Sequence, residues 1–229
     1  MVKMGATPVT FATFEQACGR DNSHVDFDTL ECPVHRMAVE PIAGLKRLAA
    51  QNGFDLRIAS GYRSFDRQLS IWNQKALGKR PVVDVNGHQL DINTLSPDQL
   101  MHCILRWSAL PGGSRHHWGT DFDIYDAAAL PDGERLQLTV AECEGVFAPL
   151  YEWLTEYLAA QDYFIRPYNL DTGGVSPEPW HLSCAPLATQ YAERLTPELL
   201  FGLVESADLM LSEALKACFN DVFERYVVL

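Results

Sequence analysis

The chain has 229 residues, of which 47% are hydrophobic, 21% charged and 10% aromatic, ordinary globular values that leave ample material for a core. Its net charge of -12 disfavours nucleic acid and anionic membrane surfaces as partners. No apolar run approaches the roughly 18 residues that a membrane-spanning helix needs.

The first 33 or so residues read as irregular, with Pro8 and Pro33. The opening "MVKMGATPVTFATFEQ" carries no apolar export core and no clear cleavage site. The expectation is a cytoplasmic protein, or a periplasmic or otherwise exported one if a leader lies outside this sequence. "EPIAGLKRLAAQNG" predicts a helix with Pro41 in its first turn and Gly53 past its end. "DLRIAS" follows as a short strand. "SFDRQLSIWNQKALG" predicts a second helix, capped by Ser64, with Asp66 in the first turn and Gly78 beyond the last. "SPDQLMHCILRW" opens a third with a capping box, Ser96 and Gln99, around a proline at the first helical position.

"TDFDIYD" alternates: Thr120, Phe122 and Ile124 share one face, and Asp121, Asp123 and Tyr125 the other. Residues 146–161 read as an apolar helix. "FIRPY" and "WHLSC" read as strands around the loop "NLDTGGVSPEP", and the segment from Thr196 onward is mostly helical. Helices and strands mix without a regular βαβ alternation, which argues for an α+β fold. No domain boundary is evident: a single domain over 1–229 is expected, with an N-terminal extension to about 35 and a helical extension from about 196. Cys18, Cys32, Cys103, Cys143, Cys184 and Cys218 are scattered without a C-x-x-C pair and are expected to be mostly buried thiols, as suits a reducing compartment.

The stretch "SRHHWGTDFDIYD" concentrates titratable groups. A catalytic zinc takes three protein ligands, usually histidine and carboxylate, and keeps a position open for water. His116, on the loop before the strand, and Asp123, within it, can face one cleft, with Gly119 turning the backbone between them. His181 in "EPWHLS" is the candidate third ligand, and Glu178, three residues before it, the candidate general base. Each has a plainer reading: a surface His116, an Asp123 that caps a turn, a His181 bonded to backbone in the core. His117 faces away from its neighbour and reads as structural, Asp126 as a strand-end carboxylate, and Asp121 as a group that orients a ligand histidine.

"SRHHWGTDFDIYD" resembles the S-x-H-x-x-G-x-x-x-D pattern of the VanY-like D-alanyl-D-alanine carboxypeptidases, peptidase family M15. "EPWH" resembles that family's E-x-W-H, and "SGYRS", with Gln68 behind it, its upstream segment bearing the substrate arginine. The three occur in family order over about residues 55–185. The resemblance implies a small, mostly antiparallel sheet flanked by helices, hedgehog/D-Ala-D-Ala peptidase-like, with the metal in a cleft on the sheet. It implies Zn2+ held by His116, Asp123 and His181, with Glu178 as base. It also implies Arg63 as an electrophile or an anchor for the substrate carboxylate, jobs that suit a guanidinium equally. Ser114, Gln68 and Trp180 are expected to border the substrate, although Ser114 could instead cap its turn. Many members carry a small residue where this chain has Asp121, so an extra negative charge near the metal is expected to bear on substrate preference. The implied activity is zinc-dependent removal of the C-terminal D-alanine of peptidoglycan stem peptides, D,D- or L,D-. The alternatives are a D-Ala-D-Ala dipeptidase or endopeptidase of the same family, and a non-catalytic zinc-containing binding module. The expected partner is a peptidoglycan-derived peptide.

Overall fold

The computed structural model describes residues 12–85 and 87–228; the start of the chain through Pro8 lies outside them. In chain order the described residues form α1 (Phe14–Ala17), β1 (Val25–Asp26), β2 (Val34–His35), α2 (Val39–Gln51), β3 (Leu56–Ser60), α3 (Phe65–Ala76), α4 (Pro97–Leu105) and β4 (Asp121–Asp126). There follow α5 (Val140–Glu144), α6 (Ala148–Ala159), β5 (Phe164–Ile165), β6 (His181–Cys184), α7 (Ala185–Ala192), α8 (Pro197–Ser206), α9 (Ser212–Ala217) and α10 (Phe219–Tyr226).

Local chemistry sets most helix ends. The Ser64 hydroxyl accepts from the Arg67 amide at 3.2 Å, and Ser96 and Gln99 exchange reciprocal bonds at 3.2 and 2.9 Å. Helices α2 and α3 both close with paired bonds: Gly53 and Phe54 amides reach Ala50 and Ala49 carbonyls, and Gly78 and Lys79 amides reach Lys75 and Gln74. Helix α2 begins at Val39, two residues ahead of Pro41, which still occupies the first turn, where an amide would have no intrahelical partner.

The segment expected as one helix over 146–161 is α6 alone, preceded by the separate α5, because Gly145 adopts φ -105° and ψ -109°, outside helical geometry. The strand expected over "FIRPY" shortens to Phe164–Ile165; Pro167, two residues on, has no amide to give a ladder. The helical reading of the segment after Thr196 resolves into α8, α9 and α10.

The fold is α+β. Strands β3, β4, β6 and β5 lie side by side in that order, all antiparallel, and β1 and β2 form a separate ribbon. One face of the sheet carries Ile58, Phe122, Ile124, Leu182 and Phe164 against Ile42, Leu45 and Ala49 of α2 and Leu150, Tyr151 and Leu154 of α6. A second apolar core joins Phe65 and Trp72 of α3 and Met101, Ile104 and Leu105 of α4 to Leu200, Leu203, Leu215, Phe219, Val222 and Phe223 of the C-terminal helices. Trp72 Nε1 donates to the Met210 carbonyl at 2.8 Å, and Asn73 bridges Asp208 and Met210, so α3 clasps the loop before α9. The six cysteines carry free thiols. Among the described residues no helix is long and apolar enough to cross a membrane.

Candidate metal centre and substrate cleft

Strand β4 has two buried faces. Phe122 and Ile124 enter the sheet core; Asp121 and Asp123 point the other way. The antiparallel register sets Asp123 directly opposite His181 and Asp121 opposite Ser183, so those four side chains share the face away from the core. His116 arrives from the single 3-10 turn Arg115–Trp118, which ends at Gly119 with φ +65°. A side chain at Gly119 would be strained by that angle and would also press on the His35 amide, 2.7 Å from where its Cβ would stand. The Gly119 carbonyl in turn accepts from that amide at 2.7 Å, anchoring the turn to β2. Gly61 is equally constrained, because a Cβ there would collide with the Pro33 carbonyl.

The metal-binding atoms of His116, Asp123 and His181 lie within 4.8 Å of one another. Both histidines are oriented from behind. His116 Nδ1 donates to the Gly61 carbonyl at 2.9 Å, leaving Nε2 free, 3.4 Å from Asp123 Oδ2. His181 Nε2 donates to Asp121 Oδ1 at 3.1 Å, and Nδ1 lies 3.0 Å from Asp123 Oδ1. Burial holds His116 neutral. Burial alone would do the same to His181, but the hydrogen bonds it donates to Asp121 and Asp123 bring it up to about 9. Asp123 is held well below the usual carboxylate range, because His116 and His181 outweigh its burial. This is a donor set suited to zinc: one carboxylate and two imidazoles, each imidazole backed by a hydrogen bond from its other ring nitrogen.

Glu178 completes the group. Its amide donates to the Tyr168 carbonyl and its carbonyl accepts from the His181 amide, which fold the two side chains back toward each other; Glu178 Oε2 lies 3.7 Å from His181 Nδ1. Burial raises the Glu178 carboxyl to about 7, against the opposing pull of His181. A carboxyl in that range can take and return a proton near neutral pH.

These residues lie in a cleft of about 900 Å³ whose lining includes Arg63, Ser114, Tyr168, Glu178 and Trp180. Ser114 lines the cleft, and its side chain makes no capping bond to its own turn. Trp180 belongs mainly to the sheet core and lends an edge to the cleft. Gln68 corrects an expectation. It is fully buried and is not among the cleft's lining residues; its amide oxygen accepts from Arg63 Nη1 at 2.8 Å and its amide nitrogen donates to the Ala109 carbonyl at 2.6 Å. It therefore aims Arg63, whose Nη2 also reaches Ser60 Oγ at 3.2 Å. His117, read as structural, is that: fully buried, it donates to the Arg63 carbonyl at 2.6 Å and accepts from the Gly112 amide at 3.1 Å. Asp126 ties the end of β4 to the Asp55 amide at 3.0 Å.

Three participants escaped the sequence reading. Tyr168 stacks edge-on to His181 at 4.9 Å between ring centroids. It comes from an irregular loop, and no local pattern marks it. Arg115 donates to Asp121 at 2.6 Å; its signal, a charged residue beside a ligand histidine, is ambiguous without the fold. Lys75 stands one heptad after Gln68, hence on the same face of α3. Burial, then Arg80, lower it to about 8, and Glu178 and Arg63 are within its electrostatic reach.

The sequence matches the family model "VanY: D-alanyl-D-alanine carboxypeptidase" over residues 32–187. An uncharacterised protein of Haemophilus influenzae is 35% identical over 137 residues, 58% of this chain and 100% of that one. A zinc-bound mutant of the vancomycin-resistance D,D-pentapeptidase VanY superposes with TM-score 0.51 at 22% identity, covering 85% of this chain and 90% of that one. VanYB in complex with D-alanine-D-alanine superposes with TM-score 0.52 at 21% identity, covering 80% and 90%. At such identities the structural likeness speaks for the fold, while the sequence match runs through all the motifs that form the centre. On that match the chain belongs to the VanY family of D-alanyl-D-alanine carboxypeptidases.

Proposed function

We propose that the chain is a zinc-dependent carboxypeptidase that removes the C-terminal D-alanine of peptidoglycan stem peptides. The observation that carries this reading is the convergence of His116 Nε2, His181 Nδ1 and the Asp123 carboxylate in a cleft that also holds Glu178 and Arg63. The three ligands would hold the zinc. When bound, zinc supplies Lewis acidity, polarising the scissile carbonyl and acidifying a coordinated water.

The chain's own groups do the rest. Glu178 Oε2 takes the proton of the attacking water and returns it to the leaving amine nitrogen. Its burial keeps its basicity near that of the medium, where proton transfer in both directions is efficient. Arg63, clamped by Gln68, Ser60 and, through its carbonyl, His117, presents a planar pair of donors to a carboxylate or to the developing oxyanion. Ser114 and the Trp180 edge would border the substrate.

One observation favours carboxypeptidase over dipeptidase. None of the cleft's lining residues follows His181, and the C-terminal helices pack on α3 and α4 instead. The described residues leave the cleft uncapped by that segment, which suits a longer peptide entering by its end. Zinc-loaded protein should be incubated with muramyl tetrapeptide, muramyl pentapeptide and free D-alanyl-D-alanine, and the products read by mass. Loss of one alanine from pentapeptide marks D,D activity, and loss from tetrapeptide L,D activity. Cleavage of the free dipeptide alone would make it a dipeptidase, and no cleavage of any substrate would remove the enzymatic reading.

A further inference from the structure

We infer that Asp121 is the positioning residue for His181: a buried carboxylate, neutralised by Arg115, that accepts the His181 Nε2–H and so presents Nδ1 to the metal. The inference rests on the proposed zinc reading of the centre.

Asp121 is fully buried and takes four bonds. Its Oδ1 receives Arg115 Nε at 2.6 Å and His181 Nε2 at 3.1 Å; its Oδ2 receives Thr120 Oγ1 at 2.7 Å and Ser183 Oγ at 3.0 Å. An ionised carboxylate only accepts, so the nitrogen of His181 that faces it must carry hydrogen. Nδ1 is then the nitrogen left for a metal, and it is the one on the Asp123 side. Asp121 is absent from the cleft lining, and its four contacts occupy its acceptor sites. It faces His181 rather than the cleft, so any bearing it has on substrate preference would run through the ligand.

The charge is balanced where it arises. Arg115 Nη2 also donates to Ser183 Oγ at 2.8 Å, and its guanidinium lies over the Trp118 ring at 4.5 Å. The fork is thus held from three sides before His181 is considered. The strand register does the remaining work: Asp121 and Ser183 are one cross-strand pair, Asp123 and His181 the next, so ligand and orienting group are neighbours by the two-residue period of β4 and β6. A small residue at this position would leave His181 Nε2 without this acceptor and Arg115 buried without its carboxylate. The pair Arg115 and Asp121 is one device, and neither member makes sense alone.

Asp121→Ala by itself strands Arg115 and can fail to fold. The test therefore uses Arg115→Met combined with Asp121→Ala, together with Asp121→Asn, which keeps an acceptor oxygen. Two quantities are read: the zinc Kd by competition with a chelator, and the His181 Nε2–H signal in zinc-loaded, 15N-histidine-labelled protein. The wild-type chain should show an exchange-protected Nε2–H. The double variant should lose that protection and bind zinc about 10–100-fold more weakly, the range typical of lost support for a ligand histidine. Asp121→Asn should fall closer to wild type. A double variant with wild-type Kd and a protected Nε2–H overturns the inference, since Asp121 would then serve Arg115 alone. A wild-type protein metallated through Nε2 overturns it without recourse to any variant. A wild-type chain that binds zinc with the expected signal but cleaves no stem peptide defeats the proposed function and leaves this inference standing.

Discussion

Strand β4 carries two regions that differ in everything but their backbone. On one face Phe122 and Ile124 are fully buried among aliphatic and aromatic side chains of α2 and α6. On the other stand Asp121 and Asp123, also buried and bonded to charged or polar partners, with Asp123 open to the cleft. The apolar face gains free energy from leaving water, without regard to direction. The polar face loses hydration and recovers it only through directed hydrogen bonds and ion pairs. Burial alone therefore does not separate core from site; the partners do. Substitutions on the polar face should change chemistry first, and those on the apolar face should change stability first.

The largest effect is expected from the ligands. His116→Ala, or treatment with a strong chelator, should reduce peptide hydrolysis to the rate without enzyme. Added zinc should restore the chelated protein but not the variant. Recovery of the variant by zinc would show that His116 is dispensable to the centre.

Glu178→Gln comes next. Glutamine keeps the shape of the turn but cannot accept the proton, so kcat should fall by about 10²–10⁴-fold with zinc content unchanged. Loss of zinc together with activity would reassign Glu178 as a ligand.

Phe122→Ala probes the opposite face and should cost about 3–5 kcal/mol of stability, measured by denaturant unfolding. At temperatures where the variant remains folded, it should hold one zinc per chain. A variant with wild-type stability but no zinc would invert the comparison.

Acid should act through histidines that brace the polar face from behind. Burial lowers His35 to about 4 and His117 to about 3, and it lowers His24 as well. Their folded pKa values lie below the unfolded value of about 6.5, so the unfolded chain binds the proton first. Their contribution is complete above pH 6.5 and falls as pH drops, by about 1.4 kcal/mol per pH unit for each histidine that stays neutral. Glu178 opposes this: its carboxyl, raised to about 7 by burial, gains a proton in the folded state first and adds stability as pH falls toward its unfolded value. Metal-free protein should thus lose stability from pH 6.5 to 5, and Glu178→Gln should steepen the loss. A flat profile in both proteins would show that the buried histidines are not held neutral.

The smallest effect is expected at Ile124→Val, about 0.5–1.5 kcal/mol of stability, with kcat/KM and zinc content unchanged. A change in kcat/KM there would mean that the two faces of β4 are mechanically coupled.

Whatever depends on neighbours in the chain was legible in the residues alone. Ser64, Ser96 with Gln99, and the helix ends at Gly53 and Gly78 are local hydrogen-bond patterns, and they stand where the sequence places them. The alternation of β4 is a property of the extended backbone, so the separation of Phe122 and Ile124 from Asp121 and Asp123 was legible too. So were the candidate ligands His116, Asp123 and His181, because zinc chemistry admits few residue types; the structure brings their metal-binding atoms within 4.8 Å of one another.

Tertiary structure alone decided what depends on pairing between distant segments. The register of β4 against β6 sets Asp123 opposite His181, 58 residues apart in sequence. The docking of α3 turns Gln68 inward onto Arg63, whereas its spacing from Arg63 also fitted the cleft. Arg115 finds Asp121 and Ser183 only once the 3-10 turn packs across both strands. The C-terminal helices choose α3 and α4 over the cleft mouth because Leu200, Leu215, Phe219 and Phe223 find a complementary apolar surface there. Hydrophobicity has no direction, so an amphipathic pattern announces that a face will be buried but not against what.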